Sequence, residues 1–169
     1  MKKLVLLVCT ALTGCLVLST NAVAADWATS SGSCYAKGDK YIDVGIPLPM
    51  YPLGVSGAFD YAFTDAISGG GGIGFRTYYF SPTYLTFLAR AAFHPFNLAV
   101  LQDKIKVRDK IDVYGGLTTW IGPSLDGNPP DFWVREYLGA RWHFSPKFCL
   151  FLEDCGGFGY LDGGISFKF

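Results

Sequence analysis

A chain of 169 residues has room for one domain once an export signal is removed. Its formal net charge is zero, so no basic excess points to nucleic acid and no acidic run forms a tail. Half of the residues are hydrophobic and 17% are aromatic, yet past the amino-terminal segment no stretch reaches the roughly 18 apolar residues of a spanning helix.

Lys2 and Lys3 open the chain, an apolar run from Leu4 to Leu18 follows, and Ala22-Val23-Ala24 ends it. This is the pattern of a secretory signal peptide over residues 1–24, cut before Ala25. Leu12-Thr13-Gly14-Cys15 offers a rival lipoprotein reading with Cys15 lipidated, but the apolar run continues through Leu16-Val17-Leu18, which favours simple cleavage. Residues 25–37 read as a polar lead-in ahead of a single domain over residues 38–169. Cys34, Cys149 and Cys155 remain in the mature chain, in a compartment that permits disulfides. Cys149 and Cys155 share one predicted strand at roughly 20 Å, too far to pair, so the layout favours Cys34 with Cys149 over other pairs. Small buried thiols without a redox role are the plainer alternative.

Eight segments then alternate apolar and polar residues at the period of a strand. The first, 38–48, sets Ile42, Val44, Ile46 and Leu48 against Tyr41, Asp43 and Gly45, and the prolines at 47, 49 and 52 end it. The second, 54–64, sets Val55, Phe59, Tyr61 and Phe63 against Ser56, Asp60 and Thr64. After a turn at Asp65-Ala66, the third (67–80) carries Ile67, Ile73, Phe75 and Tyr79 outward and Ser68, Arg76 and Tyr78 inward. Its Gly69–Gly72 run lacks the Lys-Ser/Thr tail of a phosphate loop and reads instead as bare backbone in a sharply curved sheet. The fourth, 84–94, includes inward Arg90 and His94. Residues 95–110 leave two readings open: a short amphipathic helix on Leu98, Leu101 and Ile105, or an early start to the next strand at Lys104–Arg108, with the lysines solvated at the periplasmic side. The fifth strand (111–121), a Pro/Gly-rich loop (122–131), the sixth (133–144), the seventh (148–155) and the eighth (160–169) complete the series. Glu136 and Asp154 break the apolar parity near the rims. An even count returns both ends to one side, the periplasmic side for this class.

The two parities decide which barrel this is. The apolar one holds Phe59, Phe75, Phe87, Trp142 and Phe167; the other holds Asp43, Asp60, Arg76, Arg90, Asp112, Arg135, Arg141, Glu153, Asp162 and Lys168, five acids against five bases. In a soluble lipocalin-like barrel the apolar parity would line a cavity. In a membrane barrel it faces lipid, and the equal charges pair inside, where eight strands leave little room. The secretory signal and the terminal Phe169 favour the second: an all-β fold, a transmembrane antiparallel up-and-down β-barrel of about eight strands.

The units Asp60–Ser68, Lys110–Leu117 and Leu138–Phe144, with the ending Gly164-Ile165-Ser166-Phe167-Lys168-Phe169, resemble the small outer-membrane barrels of the OmpW/OmpX type. The resemblance implies a bacterial outer-membrane location, insertion by the barrel-assembly machinery and a last strand that serves as the assembly signal, here Tyr160, Ile165, Phe167 and Phe169. Members of that family act as narrow channels for small solutes, as adhesion or serum-resistance factors, or as structural proteins; short outer loops weaken the adhesive role.

The site expectation is therefore an interior polar network of Asp43, Asp60, Arg76, Arg90, Asp112, Arg135, Arg141, His143, Glu153, Asp162 and Lys168, with His143 bonded to Arg141 and Glu153. No Cys/His spacing suggests a metal, no cofactor is expected, and the partners are outer-membrane lipid, the assembly machinery and a small solute, for a monomeric barrel. His94 and His143, with Ser145 and Glu153 in the same region, do not specify a catalytic triad by spacing, and no enzyme activity is expected. A solute pore, favoured slightly by the family analogy, stands beside a plugged structural or surface-interaction barrel, with a lipid-modifying enzyme as the third reading.

Overall fold

The computed structural model describes residues 33–48, 53–78, 81–154 and 161–169. The signal segment, Cys15, residues 25–32, Tyr79, Cys155 and Tyr160 lie outside these. The strands are β1 Lys40–Pro47, β2 Leu53–Ala62, β3 Ile67–Tyr78, β4 Ser81–Phe93, β5 Ile111–Gly122, β6 Asp131–His143, β7 Phe148–Asp154 and β8 Leu161–Lys168. Each pairs antiparallel with the next, and β8 returns to β1 from Tyr41↔Lys168 to Pro47↔Asp162, closing an eight-stranded barrel. Closure leaves no unpaired edge.

The alternation becomes a physical inversion of a soluble protein. Side chains of one parity are buried, and they are largely polar; the other parity, including Val55 (52%), Leu117 (52%) and Trp142 (55%), lies exposed on the outer wall. A soluble lipocalin-like barrel would place these two sets the other way round. Apolar side chains on nearly every strand could not all face water in a stable soluble domain, whereas in lipid they face a like solvent.

The strand boundaries fall within two residues of the sequence expectation except at the start of β4. The β4 strand starts three residues early, because pairing with β3 persists to Tyr78↔Ser81 through a register shift after Thr77. That shift is where Pro82 can be tolerated, since it has no N–H for the ladder. The loop after β5 folds back on β4: Leu125 N–H donates to the Thr83 carbonyl (2.8 Å), Leu85 N–H to that of Pro123 (3.1 Å), and Thr83 N–H to Asp126 Oδ2 (2.5 Å). Between β4 and β5 neither sequence reading holds in full. A 3₁₀ turn at Pro95–Asn97, a single-turn helix α1 at Ala99–Gln102 and a second 3₁₀ turn at Lys106–Asp109 cross the barrel end. The apolar residues are too few for a stable longer helix, and Pro95 suits a helix start, where no N–H is required.

The barrel end at which the described chain starts and stops, the termini end, is capped from within by residues 33–36. Residues 33–36 enter the mouth and leave it again at Gly38, whose φ of +91° is the left-handed turn that glycine adopts most cheaply. Gly38 N–H donates to the Ala62 carbonyl (2.9 Å) and Cys34 N–H to that of Arg108 (2.9 Å).

Candidate functional site in the barrel lumen

The lumen is occupied in three layers. In the middle layer, β1, β2, β4, β6 and β7 supply Asp43, Asp60, Arg90, Arg141 and Glu153, each at most 6% exposed. Arg90 donates Nε to Asp60 Oδ1 (2.8 Å), Nη2 to Asp43 Oδ2 (2.6 Å) and Asp60 Oδ2 (2.5 Å), and Nη1 to both oxygens of Glu153 (3.0 Å). Arg141 Nη2 donates to the same Asp43 and Asp60 oxygens at 2.7 and 2.6 Å, and Tyr114 OH donates to Glu153 Oε1 (2.7 Å). The planar guanidinium suits this role, since one group can bridge several carboxylates. Tyr41 and Tyr114 lie against Arg141 at 4.6 and 4.5 Å. Buried charge of this density is tolerable only because every ion has partners at hydrogen-bond distance.

The layer at the termini end joins residues that the sequence does not mark as a unit. Ser68 Oγ and His94 Nε2 are 2.9 Å apart, and His94 Nδ1 lies 2.9 and 3.0 Å from the two Asp112 oxygens. Tyr35 stacks on the His94 ring at 3.7 Å and 14°. Ser33 Oγ donates to Asn97 Oδ1 (2.5 Å), and the Cys34 carbonyl accepts from Tyr41 OH (3.2 Å) and Lys168 Nζ (2.8 Å). Burial, with Asp112 close by, pushes the Cys34 thiol up to about 12 and the Tyr35 phenol well above its ordinary value. With Nδ1–H on Asp112, Nε2 would accept the Ser68 hydroxyl, the connectivity of an acyl-transfer relay. Here the imidazole is 0% exposed and lies beneath Tyr35.

At the far end Arg76 Nη2 donates to Asp131 Oδ2 (3.0 Å), with its guanidinium 4.1 Å from the Trp120 ring and 5.1 Å from that of Tyr84. Trp133 Nε1 donates to Asp131 Oδ1.

The predicted network residues thus fall in different places. Asp43, Asp60, Arg90, Arg141 and Glu153 come together; Asp112 belongs to the His94 layer; Arg76 is at the far end; Asp162 is buried on β8 opposite Glu153. Arg135 is half-buried, 5.3 Å from the Trp133 ring. Lys168 sits at the rim and pairs with Asp39 of the lead-in (2.7 Å), not with a carboxylate of the wall. His143 is not bonded to Arg141 or Glu153: it lies one strand repeat beyond Arg141, edge-on to Tyr41 at 5.9 Å. Ser145 caps its own turn, accepting from Phe148 N–H (3.0 Å). Cys34 and Cys149 are buried free thiols and not a disulfide; Cys149 Sγ donates to the Ser166 carbonyl (3.5 Å). Of the assembly residues, Ile165, Phe167 and Phe169 are exposed on the outer wall or at its rim. Tyr35 is absent from the sequence expectation because the lead-in has no periodicity, and Ser68, expected to point inward, is absent from the expected network because a serine on a polar parity is unremarkable.

No protein-family model matches the chain, and no curated protein matches it. Among solved structures, the chain is similar to the designed barrel described as "Solution NMR structure of de novo designed TMB2.3", at 14% identity and a TM-score of 0.50, over 79% of this chain and 95% of the design. A second, described as "De novo design of transmembrane beta-barrels", matches at 15% identity and a TM-score of 0.48, over 79% and 97%. The likeness to the first is one of fold alone: a closed antiparallel eight-stranded barrel.

Proposed function

We propose that this chain is a bacterial outer-membrane barrel of the OmpW/OmpX type, exported by its signal segment, inserted as a monomer by the barrel-assembly machinery, and built as a closed structural element of the envelope rather than as a solute channel. The observation that carries this reading is the middle layer, where two guanidiniums and three carboxylates from five strands meet across the lumen at 2.5–3.0 Å. A solute or ion moving along the axis would have to break charge pairs that are almost fully desolvated, a cost of several kcal/mol. The lead-in segment blocks the same axis a second time. Planar-bilayer recording of the full-length mature protein tests it: the expected trace is silent, and reproducible single-channel steps would restore the channel reading.

One observation favours a second reading. The Ser68–His94–Asp112 chain has the connectivity of a hydrolytic relay, and acyl transfer to or from lipid is the chemistry it would serve. We read it instead as the socket that orients His94 beneath Tyr35. A fluorophosphonate probe is expected to leave Ser68 unlabelled, in the wild type and in Tyr35→Ala. Labelling that disappears in Ser68→Ala would establish the enzyme.

A further inference from the structure

We infer that the termini end of the barrel carries a lysine collar that binds the headgroups of anionic glycerophospholipids. The inference rests on the membrane reading above and adds a ligand class to it. Lys37, Lys40, Lys104, Lys106, Lys110 and Lys147 are all exposed. They occupy the lead-in, the first position of β1, the β4–β5 connection and the turn before β7, the segments that ring this end. Among the described residues none of the six forms an ion pair.

The carboxylates that could neutralise them are engaged elsewhere or few. Asp39 holds Lys168 and the Ala36 N–H (2.7 Å each), and Asp65 is buried on the Lys37 N–H (2.8 Å). Asp103, Asp109 and the terminal carboxylate of Phe169 remain. In the opposite half the sign reverses: among the described residues Asp126, Glu136 and Asp154 are the exposed charges, while Arg76 is buried on Asp131 and Arg135 is half-buried. The molecule thus has zero net charge and an axial charge separation.

The collar lies directly beside an aromatic belt. Phe144, Phe148, Phe167 and Trp142 are exposed on the outer wall at this end. Lys147 precedes Phe148; Lys110 precedes Ile111, which pairs with Trp142; and Lys40 exchanges backbone hydrogen bonds with Phe169 (3.2 and 3.0 Å). Rings at the acyl boundary with cations one step further out match the order of a phospholipid interface, carbonyl then phosphate. A juxtamembrane cluster of lysines draws anionic lipid through its surface potential, an attraction that salt screens. A soluble acidic partner would have no use for the contiguous belt, so the lipid headgroup is the occupant that fits.

Trp142 is a native reporter, since it is exposed on the outer wall beside the collar. The full mature chain, with Trp27, Trp120 and Trp133 changed to Phe, is refolded into phosphatidylcholine vesicles containing equal fractions of brominated phosphatidylglycerol or brominated phosphatidylcholine. Quenching should show a preference of about threefold for the anionic lipid, falling towards one at about 0.5 M salt and in K104Q/K106Q/K110Q. A companion chain with Trp142→Phe and Phe132→Trp reports the opposite end, where no preference is expected. Equal quenching by the two lipids at Trp142, a preference that survives the triple substitution, or one of equal size at both ends would overturn the collar. A protein that neither lipid quenches and that stays in the soluble fraction would overturn the membrane reading itself, and the collar with it.

Discussion

Arg141 places one terminal nitrogen within 2.7 Å of both Asp43 and Asp60, with its side chain 1% exposed between two tyrosine rings. Replacing it with Met would leave both carboxylates to Arg90 alone, an excess of buried negative charge that costs about 3–5 kcal/mol. Urea titration of the folded barrel in detergent should show that loss. R141M/D43L, which removes one charge of each sign, should recover much of it. Cys34 gives a second test at the same scale. Its ordinary value of 9.0 is raised to about 12 by burial, so the folded state holds the proton that the unfolded chain releases. The thiol's contribution to docking the lead-in is therefore intact below about pH 9 and is lost as pH rises through about 12. Site-resolved alkylation should find Cys34 and Cys149 inert at about pH 8 in the folded protein and reactive in urea. Ready alkylation of folded Cys34 at that pH would show that the lead-in does not stay docked.

At the level of elements, closure depends on β8 meeting β1. Phe169 N–H donates to the Lys40 carbonyl (3.0 Å) and Lys40 N–H returns the bond (3.2 Å), so deleting Phe169 removes the last rung and an exposed aromatic together. The expected result is a lower yield of the heat-modifiable folded form; an unchanged yield would remove this residue's special role. The glycine run of β3 makes a sharper case. A Cβ at Gly70 would lie 1.8 Å from the Phe59 carbonyl oxygen and 2.6 Å from Asp60 Oδ1. Gly70→Ala therefore forces β2 and β3 apart where Asp60 must reach Arg90, and should depress folding more than alanine at Gly57, where the nearest atom, the Asp43 carbonyl oxygen, is 3.9 Å away. Band-shift assays of the two variants side by side decide it. Curvature was readable from four glycines in a row; the close approach to one carbonyl and one carboxylate was not, because it belongs to two strands at once.

For the whole molecule, the proposed closed barrel has the charge layer and the docked lead-in block one axis twice. Removing a single block should not open it: Tyr35→Ala exposes Cys149, which packs in the same buried cluster as Tyr35 and Tyr41, while bilayer recordings remain silent. Conductance in that single variant would mean that the charge layer does not seal. The same view explains why the function was harder to read than the fold. Each strand announces its two faces locally, but whether inward charges leave a water path depends on how residues far apart in sequence meet, as Arg90 meets Asp43 and Glu153.

The sequence alone sets the strands, their parity and the sign of the inversion, because a period of two fixes which side chains share a face and the apolar set is too large to face water. It also determined that inward charges of both signs would coexist. Which of them meet is a property of the folded barrel: Arg141 with Asp43 and Asp60, His94 with Ser68 and Asp112, Lys168 with the lead-in. The physical reason is register and tilt. Parity is a property of one strand, whereas the height at which a side chain enters the lumen is set by the stagger of eight strands around the barrel.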